Sequence, residues 1–272
     1  NVTVSNVTLT GQDATNDYTF VKFDISWDNS WRTSSSAPYN WDAVWVFVKY
    51  KVGSGGWQHA TISATAGNHT APSGSTVTPS SDGKGAFIYR SADGSGTFSP
   101  SGIQLRWNYG TDGVADNASV MLKVIAFEMV YVPQGSFYLG SGGSETSAFY
   151  KYPTTTDTYL VSSENEIAVG TTSGNLYYAL STYGGDQSGP ILGAFPKGYN
   201  AFYCMKYEIT QEQYVDFLNM LTYTQQTTRT FVSPNSTAGT KAMTTGTTYR
   251  NGKEVQTPGL TAAVYACDLT DD

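Results

Sequence analysis

Between Tyr18 and Trp27 the chain sets Val21, Phe23, Ile25 and Trp27 against Lys22, Asp24 and Ser26 in strict alternation. Only an extended backbone sends alternate residues to opposite faces, so this stretch predicts a strand with one buried face. Further short runs follow at Ala43–Val52, Trp57–Ala64, Gly85–Arg90, Ile103–Tyr109 and Ser119–Phe127, divided by clusters of Gly, Ser, Asp and Pro. Counted with the N-terminal segment they make seven, a spacing that predicts an immunoglobulin-like β-sandwich over residues 1–128. Ala43–Val52 is apolar on both faces for most of its length and is expected at the centre of a sheet.

The N-terminal segment has its own pattern. Val2 and Val4 alternate, the phase slips at Ser5 and Asn6, and Val7 and Leu9 resume it, which predicts a bulge. GQDATND follows at 11–17 and reads as a flexible tether. A terminal strand on a tether either pairs within its own sandwich or completes a neighbour's, with Val2, Val4, Val7 and Leu9 as the candidate donor residues. Burying those four side chains stabilises by about 6–12 kcal/mol, at roughly 1.5–3 each. Association costs about 4–15 kcal/mol, so a donated strand needs further subunit contacts, which a repeating assembly supplies.

Composition narrows the partners. The chain has 272 residues, enough for two domains. Charged residues make up only 14%, with 28 glycines among the Ser and Thr that replace them. A net charge of -7 argues against nucleic acid, whose phosphates need clustered Lys and Arg. No run approaches the roughly 20 apolar residues of a membrane span. A first residue of Asn rather than Met, with this composition, reads as a processed, exported chain.

One convincing helix is expected, at about 210–221. Thr210 and Gln213 have the spacing of a capping box, and Tyr214, Phe217, Leu218 and Leu221 form an apolar stripe at i, i+3, i+4 and i+7. Gln211, Glu212, Asp216 and Asn219 are expected to face water, and Phe202–Ile209 to lead in as a strand. Together with MVYVPQGSFYLGSG at Met129–Gly142, this unit resembles the opening half of the formylglycine-generating-enzyme (sulfatase-modifying factor) domain. Phe202, Glu208, Ile209, Thr210, Gln213, Tyr214 and Phe217 match the second motif of that family.

The resemblance covers roughly 129–267. It implies a partial α+β, C-type-lectin-like domain at 129–272, with a polar insertion at 141–196, in a chain that is mainly β as a whole. The arginine-leucine-proline-threonine-glutamate run of the family does not occur here, and its copper-binding cysteine pair belongs to the half that is not matched. The resemblance therefore implies no catalytic residue, no metal and no cofactor, unless the chain continues beyond Asp272. Cys204 and Cys267 permit one disulfide, with two buried thiols as the alternative. The whole chain also resembles protomers of bacterial surface fibrils that assemble by strand exchange, which implies an extracellular, cell-surface, helical homopolymer.

The remaining candidates are sparse. Trp27, Trp45 and Trp107 fall in phase with apolar neighbours and are expected in the core, which leaves Trp31 and Trp41 as a possible sugar platform on a glycan-binding module. His59 and His69 have no zinc-like spacing. Asp112, Asp116 and Asn117 offer oxygens to calcium without the spacing of a helix-loop-helix site. Weak strands are expected near Thr158–Val161, Ile167–Val169 and Leu176–Leu180, and a turn at Asn251–Gly252.

Overall fold

The computed structural model describes residues 2–145, 148–178, 188–244 and 252–267. It is mainly β, 42% strand and 6% helix, with a large antiparallel sheet. Contacts divide the chain into two units, one of Asn1–Trp31, Asp42–Met129 and Met205–Asp272, the other of Arg32–Trp41 and Val130–Cys204.

Nine strands open the chain in order: β1 (Thr3–Asp13), β2 (Tyr18–Arg32), β3 (Trp41–Val52), β4 (Gln58–His59), β5 (Ser75–Pro79), β6 (Ala86–Arg90), β7 (Gly94–Phe98), β8 (Ile103–Trp107) and β9 (Val120–Val132). β2 pairs with β1, β7 and β8, while β3 pairs with β4, β6 and β9, and β5 extends the sheet from β6. The alternation of β2 is realised as read, with Val21, Phe23, Ile25 and Trp27 at 0–2% exposure. They meet Val44, Val46, Val48 and Tyr50 of β3 and Ile103, Leu105 and Trp107 of β8 in one core. Each such side chain stabilises by about 1.5–3 kcal/mol, so this core dominates the first unit.

β3 is central, as expected, but its two faces differ. Trp45 lies on the outer face with Phe47, not in the core, because the even-numbered residues from Val44 to Tyr50 take the inner positions. Gly85 makes room for that indole: a Cβ there would stand 2.5 Å from Trp45 Cζ2 and 2.6 Å from the Val46 carbonyl oxygen. Of the expected strand Trp57–Ala64 only β4 and a bridge from Ile62 to Trp107 form. β9 runs unbroken through 128/129, the domain boundary expected from sequence.

The second unit contains four short strands, β10 (Phe137–Leu139), β11 (Phe149–Lys151), β12 (Tyr159–Val161) and β13 (Leu176–Tyr178), and most of β14 (Phe202–Met205). β10 pairs with β12 and β11 with β13, both antiparallel. Val161, Ile167 and Leu176 form a small core with Phe137, Leu139 and Tyr159. Residues expected as a polar insertion thus supply the partner strand and the core for the motif strand at 137–139. A three-residue strand cannot bury its side chains alone, and the nearest apolar residues complete it. Gly140 is obligatory at the junction: its φ is +101°, and a Cβ would collide with the Phe149 carbonyl.

After β14 the chain belongs to the first unit and forms α1 (Gln211–Leu218), α2 (Tyr223–Thr227) and a hairpin of β15 (Lys253–Thr257) and β16 (Val264–Cys267). The Thr210–Gln213 capping box forms in both directions, at 3.1 and 3.0 Å. Three residues of the expected stripe face the core: Leu218 is buried with Val215 against Ala242, Val255, Ala263 and Tyr265, and Tyr214 and Leu221 pack partly on them, while Phe217 is 38% exposed and the helix ends before Leu221. Asn219 does not face water; it exchanges two hydrogen bonds with the Tyr265 backbone, at 3.0 and 2.8 Å. The lead-in strand is confined to Phe202–Met205. Asn251 of the expected turn lies outside the described residues.

Candidate functional site

β1 is paired within its own chain. Thr3, Val4 and Ser5 face Ser26, Ile25 and Asp24 of β2, the register breaks, and Thr8, Leu9 and Thr10 face Lys22, Val21 and Phe20. The break falls where the apolar phase slips. Asn6 takes φ +54°, a left-handed conformation that Asn tolerates through its short polar side chain, and its Nδ2 donates to Asp24 Oδ2 at 2.7 Å. GQDATND is not a tether. Gly11 to Asp13 continue β1, and Asp13 closes the turn by accepting from the Thr15 and Asn16 backbone N–H groups at 3.0 and 3.1 Å.

The four candidate donor residues separate into two pairs. Val2 and Val4 pack partly against the main core, whereas Val7 and Leu9 are each 38% exposed. Among the described residues, β1 has β2 on one edge and no strand on the other. Val2 and Val4 also line a groove of about 600 Å³, together with Trp45, Phe47, Phe127 and Phe217. Lys123 Nζ and Asp216 Oδ1 join β9 to α1 beside it, at 2.6 Å.

A second arrangement in the first unit is a buried charge cluster. Asp42 is fully buried and accepts at Oδ1 from Ser30 Oγ (2.8 Å) and the Trp31 N–H (3.0 Å), and at Oδ2 from Trp27 Nε1 (2.8 Å) and Lys206 Nζ (3.1 Å). Lys206 Nζ also lies 3.2 Å from Glu128 Oε2, while its backbone N–H donates to the Glu128 carbonyl at 2.9 Å. Burial by itself pulls the Lys206 ammonium down, but hydrogen bonds and charge from Asp42 and Glu128 outweigh it and hold its pKa above the ordinary lysine range. None of the three was a sequence candidate. The signal was there: Asp42 and Glu128 are lone acids inside apolar strands, where a charge must find a partner.

The other candidates are accounted for locally. Trp41 stacks on Tyr131 at 3.9 Å and carries the Arg32 guanidinium at 4.4 Å on its other face, which leaves neither face open to a sugar ring. Trp31 has the Lys206 ammonium 5.1 Å from its ring. The expected disulfide is absent: Cys204 is exposed on β14, and Cys267 pairs with Lys253 across the β15–β16 hairpin and packs against its core. Asp112 spends both oxygens on Trp107 Nε1 and on the N–H and hydroxyl of Thr61, at 2.6–2.9 Å, and Asp116 Oδ1 accepts from the Tyr109 hydroxyl, so neither is arranged for calcium. Among the described residues no group of three His, Cys, Asp or Glu side chains could hold a metal.

His59 donates from Nε2 to the Lys84 carbonyl, and His69 from Nε2 to the Ser63 carbonyl while accepting the Arg106 N–H at Nδ1. Burial pulls both imidazoles down, which favours these neutral, structural roles. No described helix is long and apolar enough to cross a membrane. Comparison of the chain with models of known protein families, with curated proteins and with solved structures returned no match.

Proposed function

We propose that the chain is a structural subunit of an extracellular bacterial fibre, a helical homopolymer in which β1 of one subunit replaces β1 of the next on β2. In this reading residues 1–128 are an immunoglobulin-like sandwich and 129–272 a non-catalytic relative of the formylglycine-generating-enzyme fold. The observation that carries it is the state of β1. Among the described residues it is an edge strand whose backbone is paired, whose register is broken, and whose Val7 and Leu9 are over a third exposed. Such a strand is weakly held by side-chain burial, and exchange restores the same backbone pairs in trans at little net change. Withdrawing Val2 and Val4 would also remove part of the apolar lining of the groove beside α1. The low proportion of charged residues accords with a surface that packs against copies of itself.

The test compares residues 1–272 with a chain lacking Asn1–Thr10, by electron microscopy and light scattering. Filaments from the full chain and folded monomers from the shorter one are the expected result. Filaments from both, or from neither at high concentration, overturn the proposal.

A further inference from the structure

Asp42, Glu128 and Lys206 come from three distant parts of the chain and meet where water is nearly excluded. Asp42 is wholly buried, the Glu128 side chain is 4% exposed and the Lys206 side chain 10%. The Lys206 amine lies 3.1 Å from Asp42 Oδ2 and 3.2 Å from Glu128 Oε2, so the nucleophile is held in hydrogen-bond contact with both carboxyl groups. These are the parts of an amide-forming centre: a nucleophile, an acyl group and a proton carrier. We propose that Lys206 and Asp42 become joined by a covalent side-chain amide, with Glu128 carrying the proton.

The step balances without an external reagent. Glu128 takes one proton from the Lys206 ammonium, and the lone pair so released forms the N–C bond at Asp42 Cγ. Charge gathering on Oδ1 meets the Ser30 hydroxyl and the Trp31 N–H, already aimed at that oxygen at 2.8 and 3.0 Å. Oδ2 receives the proton from Glu128 and a second from the nitrogen, and leaves as water while the Trp27 Nε1–H, 2.8 Å away, stays directed at it. One ammonium and one carboxylate become one amide and one water, and Glu128 ends as it began. The resting state is the ion pair, so the reaction is slow, but each chain needs it only once. Held geometry of this kind reaches effective concentrations of about 10⁵–10⁸ M.

Asp42 is assigned as the acyl partner because both its oxygens are already polarised by donors other than Lys206. The bond would tie β3 to the segment after β14, across 164 residues, so that everything between them is shielded from extension under load. The proposal does not rest on strand exchange: a monomeric chain that carries the amide upholds it.

Intact-mass spectrometry and peptide mapping of the folded chain test it. The expected mass is one water below that of the sequence, with a branched peptide joining Asp42 to Lys206. The isosteric Glu128→Gln chain, shown folded by circular dichroism and a cooperative melt, is expected to keep the full mass, as is Lys206→Arg. A folded wild-type chain that keeps its full mass after prolonged incubation at pH 5–8 overturns the proposal. So does a lost water mapped to any other pair, Glu128 with Lys206 included. An amide that forms undiminished in Glu128→Gln removes the assigned role of Glu128.

Discussion

Asn6 Nδ2 donates to Asp24 Oδ2 at 2.7 Å, and this one bond anchors the bulge of β1 to the strand that carries it. The Asp24 carboxyl also accepts from Ser101 Oγ and the Gly102 N–H, each at 2.6 Å. Ser101, then Asn6 and Gly102, hold its pKa below the ordinary carboxylate range. A depressed carboxylate contributes above its unfolded pKa and is lost as pH falls through its folded one. The hold on β1 is therefore intact at neutral pH and fails only as pH falls below the ordinary carboxylate range. Hydrogen-exchange protection of β1 should drop there before that of β2 and β8, and Asp24→Asn should weaken the pH dependence. Uniform loss across all three strands would refute the link.

Thr3 and Ser26 are direct partners across β1 and β2. A chain with Thr3→Cys and Ser26→Cys, oxidised as a monomer, should keep β1 at home and form no filaments until reduced. Cys204 is replaced by Ser in this chain because it is exposed. Assembly of the oxidised chain at the wild-type rate would show that β1 is not exchanged.

Lys206→Met strips the cation from two buried carboxylates, and removing one partner of a buried pair costs about 3–5 kcal/mol. Denaturant unfolding of the variant should show a loss of that size. In wild-type chain that still has its full mass, before the amide forms, the raised Lys206 pKa makes its contribution complete below the ordinary lysine value and lost only as pH rises past the folded one. The stability difference between wild type and variant should accordingly be flat through neutral pH.

Gln226 is fully buried in α2, donates to the Leu218 and Ala263 carbonyls at 3.1 and 2.9 Å, and accepts the Ala263 N–H at 2.8 Å. Gln226→Ala orphans these groups at about 1–3 kcal/mol each. The loss should be read by hydrogen exchange in α1, α2, β15 and β16, while β2 and β8 keep their protection.

Gly85→Ala drives a methyl group toward the Trp45 indole and the Val46 carbonyl. Overpacking of this kind costs about 1–3 kcal/mol. A lowered melting temperature with an altered tryptophan emission is expected, and an unchanged melt would show that the β3–β6 pair gives way easily.

What could be read from the residues alone was what depends on near neighbours. The alternation of β2, the phase slip at Asn6 and the reciprocal cap of Thr210 with Gln213 are written within spans of a few residues, and each formed where it was read. The same T-x-x-Q spacing at Thr222 and Gln225 caps α2 and is as legible. The buried side of α1 was legible at Tyr214, Leu218 and Leu221 but not at Phe217, because the β15–β16 hairpin supplies an opposing surface that Val215 meets instead.

Tertiary structure alone decided the rest. Residues 11–17 looked like a tether because their composition is polar, yet Gly11 to Asp13 continue β1 and Asp13 pairs with Tyr18 of β2. Asp42, Glu128 and Lys206 each looked like a solitary charge. A charge carries no mark of its partner in its own neighbourhood, because the penalty for burying it is met by whatever the fold brings within about 4 Å. The sequence by itself determined strand alternation, caps and the bulge; packing decided which faces close and which charges meet.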